Sequence, residues 1–189
     1  MTMAKVKVLI EGYVNTDTRR SFGTRRTCAT VSLVIDKDIV MVVDPGVLES
    51  QQILIEALNK ENLTLEDVNF VFITHSHLDH YRNIGMFAKA KTIEYFGIWD
   101  RGIADDWPEQ FTDNIKIIKT PGHNYDGLSL LVQTKIGKIA IVGDVFWKEG
   151  GPAIDPYASD KKKLEESRKK VLAAADYIIP GHGPMFKVG

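Results

Sequence analysis

Hydrophobic and polar positions alternate in two distinct periods along this chain. Residues 5–10 (Lys-Val-Lys-Val-Leu-Ile) alternate and then run apolar, which predicts an outer strand. Two further runs, Thr30 to Ile35 and Ile39 to Val43, flank Asp36-Lys37-Asp38 and predict a hairpin that exits into Asp44-Pro45-Gly46. Asp-Pro-Gly is good turn chemistry, and Asp44 is also placed to steady a neighbouring functional loop. From Gln51 to Asn62 the period changes: Ile53, Leu54, Ala57 and Leu58 fall at helical spacing. Thr64 then caps a short turn. Asn69 to Ile73 is a brief aromatic and β-branched run, the composition of a buried strand. Ile84, Met86, Phe87 and Ala88 predict a helix packed back on the sheet.

Strands are expected at Thr92 to Phe96, Ile115 to Lys119, Leu128 to Thr134 and Lys138 to Val142. The stretch from Gly97 to Asn114 reads as a surface loop, and 146–158 as a loop at the mouth of a site. Asp160 to Ala174 predicts a helix with Leu164, Arg168, Val171 and Ala175 on one stripe. Tyr177 to Ile179 is expected as the last strand. Repeats and linkers are missing from the pattern, so one domain over residues 1–189 is the expectation.

Composition narrows the class without naming it. Hydrophobic residues make up 44% and charged residues 26% of 189, ordinary for a globular protein with a real core. A formal charge of −1 gives no bulk field for nucleic acid or a membrane. Cys28 is the only cysteine, so no intrachain disulfide can form. With neither an apolar run of spanning length nor a signal-peptide pattern, a cytoplasmic protein without a membrane partner is expected. A homo-oligomer is left open.

The chemistry lies where the strands end. His75-Ser76-His77-Leu78-Asp79-His80 follows the run at 69–73 directly. In extended chain, positions i and i+2 share a side, so His75 and His77 can face one cavity. Asp79 and His80 come from the following turn. The other two histidines, His123 and His182, sit in Pro-Gly-His turns after apolar strands, and Asp144 follows the strand at 138–142. A lone histidine is more often a core or surface residue than a ligand. Here all five are spent after strands and none is left on a helix face. Five imidazoles and two carboxylates exceed what one tetrahedral ion needs, and suit two metals about 3.5–4 Å apart. Zinc fits these donors, as do iron and manganese.

Arg19, Arg20, Arg25 and Arg26 fall in a polar stretch that reads as a long hairpin loop turning around Ser21-Phe22-Gly23. Charge runs are usually solvated faces, and that is the first reading. The second is a grip on an anionic substrate, through Arg25 and Arg26.

In order along the chain, the histidine hexapeptide, Thr120-Pro121-Gly122-His123, Gly143-Asp144 and Pro180-Gly181-His182-Gly183 resemble the motifs of the metallo-β-lactamase superfamily. Residues 143–146, 166–172 and 175–184 are similar to a minimal single-domain branch of that superfamily, one associated with RNA cleavage. The resemblance implies an αβ/βα four-layer sandwich, two mixed β-sheets face to face with helices outside. It implies one metal on His75, His77 and His123, another on Asp79, His80 and His182, and Asp144 bridging both. The commonest true β-lactamases carry arginine at the place of His80 and cysteine at that of Asp144. Acyl-homoserine lactonases carry tyrosine where this chain has Trp147.

The activity so implied is hydrolysis of an ester, a thioester or a phosphodiester, RNA included, by a metal-bridging hydroxide, with Asp79 as the catalytic group that accepts a proton. The substrate is then a small molecule or a nucleic acid. Tyr13, Trp147 and Tyr157 join the arginines as candidate pocket residues. Two rival readings share the fold: an iron-dependent oxidoreductase, and a metal-binding module without catalysis.

Overall fold

A computed structural model describes residues 2–15 and 26–189. The apolar runs of the sequence pair into two mixed sheets. The first has seven strands in the spatial order Lys5–Ile10, Val31–Asp36, Ile39–Val43, Phe70–Phe72, Lys91–Glu94, Gly97–Asp100 and Ile103–Asp105. The second has five, in the order Ile115–Lys119, Leu128–Thr134, Gly137–Ile141, Tyr177–Ile179 and Phe186–Lys187. A separate ribbon pairs Tyr13–Asn15 with Arg26–Cys28. The three α-helices of the described residues are α1 (Gln52–Lys60), α2 (Leu78–Tyr81) and α3 (Lys161–Ala174).

Period-two alternation sorts the strand side chains into layers. Met41, Val43 and Phe72 from the first sheet meet Ile117, Leu130, Ile141 and Ile179 from the second in one buried cluster. Their neighbours point the other way. Val42, Val71 and Ile73 pack with Leu54 and Leu58 of α1, while Ile118, Leu131, Ala140 and Ile178 pack with Leu164 and Val171 of α3. Strands covered on both faces have no solvent side to mark with polar residues, which is why they read as continuous apolar runs. The result is the helix–sheet–sheet–helix sandwich expected from the motifs.

Strand direction fixes where the loops meet. Ile39–Val43, Phe70–Phe72 and Lys91–Glu94 run parallel, so Asp44 and the histidine hexapeptide emerge from one edge of the first sheet. In the second sheet Gly137–Ile141 and Tyr177–Ile179 are parallel. Ile115–Lys119 is antiparallel to Leu128–Thr134, which is itself antiparallel to Gly137–Ile141, so it shares their direction. His123, Asp144 and His182 therefore also follow C-terminal strand ends at one edge.

Three expectations need correction. Gly97 to Asn114 is not wholly irregular: it holds the antiparallel pair Gly97–Asp100 and Ile103–Asp105. Its turn places Arg101 and Gly102 at φ 51° and 86°, the left-handed pair that suits a tight two-residue hairpin. Ile84–Met86 forms a single 3-10 turn instead of a helix, although its apolar side chains pack against the first sheet's outer face as expected. Phe186–Lys187, too short to show a pattern, adds a strand beyond Tyr177–Ile179.

Candidate metal centre

Four strand ends deliver the cluster. After Phe70–Phe72 the chain bends at residues 74–76, is extended at His77 (φ −85°, ψ 137°) and then turns into α2, which places Asp79 in the first turn and buries His80. Gly143-Asp144-Val145 forms a 3-10 turn. The glycine of the second Pro-Gly-His motif is required by contact, since a Cβ on Gly181 would fall on Asp144 Oδ1. At Gly122, with φ 135°, a Cβ would meet the backbone of Leu164, so the first motif is seated on α3.

The side chains converge in two groups. Ligand-type atoms of His75, His77, His123 and Asp144 lie within 4.8 Å of one another, and so do those of Asp79, His80 and His182. Asp144 stands between the groups. Its Oδ2 is 3.3 Å from His123 Nε2, and its Oδ1 is 3.3 Å from His80 Nε2 and 3.1 Å from His182 Nε2.

Hydrogen bonds outside the cluster set the tautomers. His80 Nδ1 donates to Asp44 Oδ2 at 2.8 Å, and His123 Nδ1 to Asp155 Oδ2 at 2.6 Å. His182 Nδ1 donates to the Cys28 carbonyl at 2.9 Å. Thr74 Oγ1 spends its proton on Asp44 Oδ2 at 2.7 Å and so accepts from His75 Nδ1 at 3.1 Å. With Nδ1 protonated in all four rings, four Nε2 lone pairs face the same space. Tying the far nitrogen in this way is how proteins orient imidazole ligands.

Without a cation that arrangement is unsatisfied. His77 Nδ1 lies 3.0 Å from both His75 Nε2 and His123 Nε2, yet one N–H can serve only one of them. His80 Nε2 and Asp144 Oδ1 are buried with no hydrogen-bond partner. Buried polar atoms left unpaired cost free energy, and a cation among the lone pairs removes the conflict. The cluster fits a metal site.

Comparison with known proteins agrees. A family model described as the metallo-beta-lactamase superfamily matches residues 25–116. A Xenopus laevis protein named metallo-beta-lactamase domain-containing protein 1 is 33% identical, over 97% of this chain and 81% of its own length. The chain belongs to the metallo-β-lactamase superfamily. It spans between 59% and 81% of the length of the animal relatives bearing that name, which bears out the likeness read in residues 143–184. A Methanocaldococcus jannaschii protein named "probable metallo-hydrolase" is 30% identical over 75% of the chain and 70% of its own length. A metallo-β-lactamase-like crystal structure from Thermotoga maritima superposes with TM-score 0.76 at 24% identity, covering 98% of this chain and 99% of that one. Family and relatives place the chain among the hydrolases of this superfamily.

Electrostatics divide the superfamily's histidine set. Burial, with the neighbouring imidazoles, holds His75 well below the usual histidine range, and burial lowers His77 as well. Burial also acts to lower His80 and His182, but carboxylates overcome it. Asp44 and Asp144 hold His80 well above the usual range, and Asp144 raises His182. Burial works against charge on Asp144, yet His182 and His80 hold its carboxyl well below the usual carboxylate range.

A cavity of about 220 Å³ opens over the cluster, lined by Val14, Thr27, His77, Asp79, His123, Asp144, Trp147, Tyr157 and His182. His75 and His80 lie buried behind it. Trp147 and Tyr157 line the cavity, their rings stacked at 5.8 Å and 17°. Tyr13 does not line this cavity. Strand alternation turns its neighbour Val14 inward and leaves Tyr13 exposed. Arg26 is also outside the lining, exposed and 3.9 Å from Glu49. Arg25, with Arg19, Arg20 and the Ser21-Phe22-Gly23 turn, lies outside the described residues.

Several contributors carry no sequence signal of their own. Asp155 sits before a proline and reads as turn chemistry, yet it holds His123 through Oδ2 and the Tyr157 N–H through Oδ1. Thr27 Oγ1 donates to Asp79 Oδ2 at 2.6 Å. Cys28 contributes its carbonyl, which any residue there would supply. Asp44 is the exception, since its position after a strand had suggested a supporting role.

Proposed function

We propose that the chain is a dinuclear, zinc-dependent hydrolase acting on an ester, thioester or phosphodiester. His75, His77 and His123 would hold one ion, Asp79, His80 and His182 would hold the other, and Asp144 would serve both. The observation that carries this reading is the placement of Asp144, whose Oδ2 reaches both His123 and His182 and whose Oδ1 reaches His80 and His182, so that one carboxylate touches both histidine groups. When bound, two divalent ions supply acidified water and polarise the scissile carbonyl or phosphoryl oxygen.

The chain's own residues do the remaining work. Asp79 lines the cavity and is fixed by Thr27, so its carboxylate accepts a proton from the attacking water at a defined place. Asp155, Asp44 and the Cys28 carbonyl keep three imidazoles in the tautomer that binds a cation. Trp147, edge-on to His123 and His182, screens one side of the cluster from bulk water.

Elemental analysis of purified protein, run beside an ester, thioester and phosphodiester panel, tests the proposal. Two equivalents of zinc per chain, with activity lost on chelation and regained on adding zinc, are expected. A single equivalent of iron, with oxygen consumption and no hydrolysis, would favour the oxidoreductase reading.

A further inference from the structure

We infer that a second cavity, on the far side of the histidine loop from the first, binds a small primary amine as its ammonium ion, with Asp126 and Glu94 as the charged contacts. The inference adds a site to the molecule and does not depend on which bond the metal centre cleaves.

The cavity, of about 200 Å³, lies against the outer face of the first sheet. Ile93 points into the core between the sheets, so its strand neighbours Thr92 and Glu94 point the other way, and both line the cavity. Ile73, Tyr81 and Ile84, which pack on that outer face, supply apolar wall. Tyr95 adds a further ring. His75 belongs to the metal cluster and also lines this cavity, so its ring is a wall between the two. Among the described residues no lining residue is common to this cavity and the one over the metal cluster.

Two carboxylates in the lining set the chemistry. Asp126 is 5% exposed. Its Oδ2 accepts from the Ser76 N–H at 3.0 Å, while its Oδ1 is buried with no hydrogen-bond partner among the described residues. A buried carboxylate oxygen without a donor costs free energy, which a donor brought by a ligand recovers. Glu94 is half-buried, and its Oε1 accepts from Trp99 Nε1 at 2.5 Å, which holds the carboxylate in place. An ammonium group answers both residues: it has three N–H donors and the opposite charge, and charge-assisted hydrogen bonds are the strong ones. The Tyr95 ring takes a cation in this molecule already, with the Lys119 ammonium 4.8 Å from its centre. The cavity is smaller than the roughly 300–1,000 Å³ of drug-sized sites, so it suits one charged group on a short apolar stem lying along Ile73, Tyr81 and Ile84.

The test is isothermal titration calorimetry of the full-length protein as purified, at neutral pH, with pentylamine and phenethylamine. Pentanol and phenethyl alcohol match them in shape without the charge. At least one amine should bind about tenfold or more tighter than its alcohol, because hydrogen bonds to charged groups outweigh neutral ones. Asp126→Asn keeps an oxygen for the Ser76 N–H, and Glu94→Gln keeps one for Trp99 Nε1, so both variants should fold with wild-type metal content. Each removes one negative charge. Asp126→Asn should weaken the amine about tenfold and Glu94→Gln about threefold or more, with the alcohol unchanged in both. No amine binding up to about 10 mM, or equal binding of amine and alcohol, would overturn the inference. Full amine affinity in both variants would also overturn it, and would place the amine elsewhere, the metal ions included. Should Asp126→Asn fail to fold, Glu94→Gln decides alone.

Discussion

Asp155 offers the sharpest structural prediction, because it touches no substrate and no other cluster residue than His123. Its buried carboxylate accepts from His123 Nδ1 at 2.6 Å and from the Tyr157 N–H at 2.8 Å. Asp155→Asn keeps the shape but has one acceptor oxygen for two donors, so its NH2 must oppose one of them. A hydrogen bond to a charged group is worth about 1.5–3 kcal/mol, and a buried donor left unpaired costs about 1–3 kcal/mol. At about 1.4 kcal/mol per decade, the expected loss is roughly tenfold to a hundredfold in affinity for the ion held by His123. The second ion, which His123 does not contact, should keep its affinity within about threefold, well under the decade that one lost hydrogen bond costs. Competition titration against a chromophoric chelator resolves the two binding steps. Unchanged affinity at both, or equal losses at both, would refute the claim that Asp155 acts through His123.

Four other substitutions and one pH series extend the test. His80→Ala should spare the first ion and weaken the second, whereas Asp144→Ala should deplete both, as elemental analysis of each variant would show. In metal-free protein the raised His80 pKa means its stabilisation is fully present below about pH 6.5 and is lost as pH rises through the folded value. Urea melts of the metal-free protein should therefore weaken from pH 6 to 9, and His80→Gln should flatten that decline; equal slopes would contradict it. Burial raises the Cys28 thiol, so it should resist alkylation at neutral pH until the protein unfolds. Because His182 uses the Cys28 carbonyl and not its sulfur, Cys28→Ser should leave metal content unchanged.

The cluster was legible in sequence because the five histidines and Asp144 each follow an apolar run, and runs that become parallel strands end at the same edge. Its supports were not, because they depend on which distant segments meet. Thr27 reaches Asp79 across 52 positions, and the Cys28 carbonyl reaches His182 across 154. Tyr13 and Val14 show a different limit. The sequence fits a strand in either phase, and only the pairing of Val14 with Thr27 decides which side chain faces the cavity. At 97–105 the hairpin escaped notice because its strands are exposed and short, with Ile103–Asp105 open to solvent along its length. At 84–86 the apolar spacing suggested a helix, but its contacts with the outer face of the first sheet need only one 3-10 turn.

The central claim is that two ions share Asp144, and anomalous diffraction from crystals grown with zinc tests it most directly. Two peaks about 3.5–4 Å apart are predicted, with Asp144 between them. One should lie about 2 Å from nitrogens of His75, His77 and His123, the other about 2 Å from His80 and His182. A single peak, or two peaks that do not share Asp144, would contradict the account.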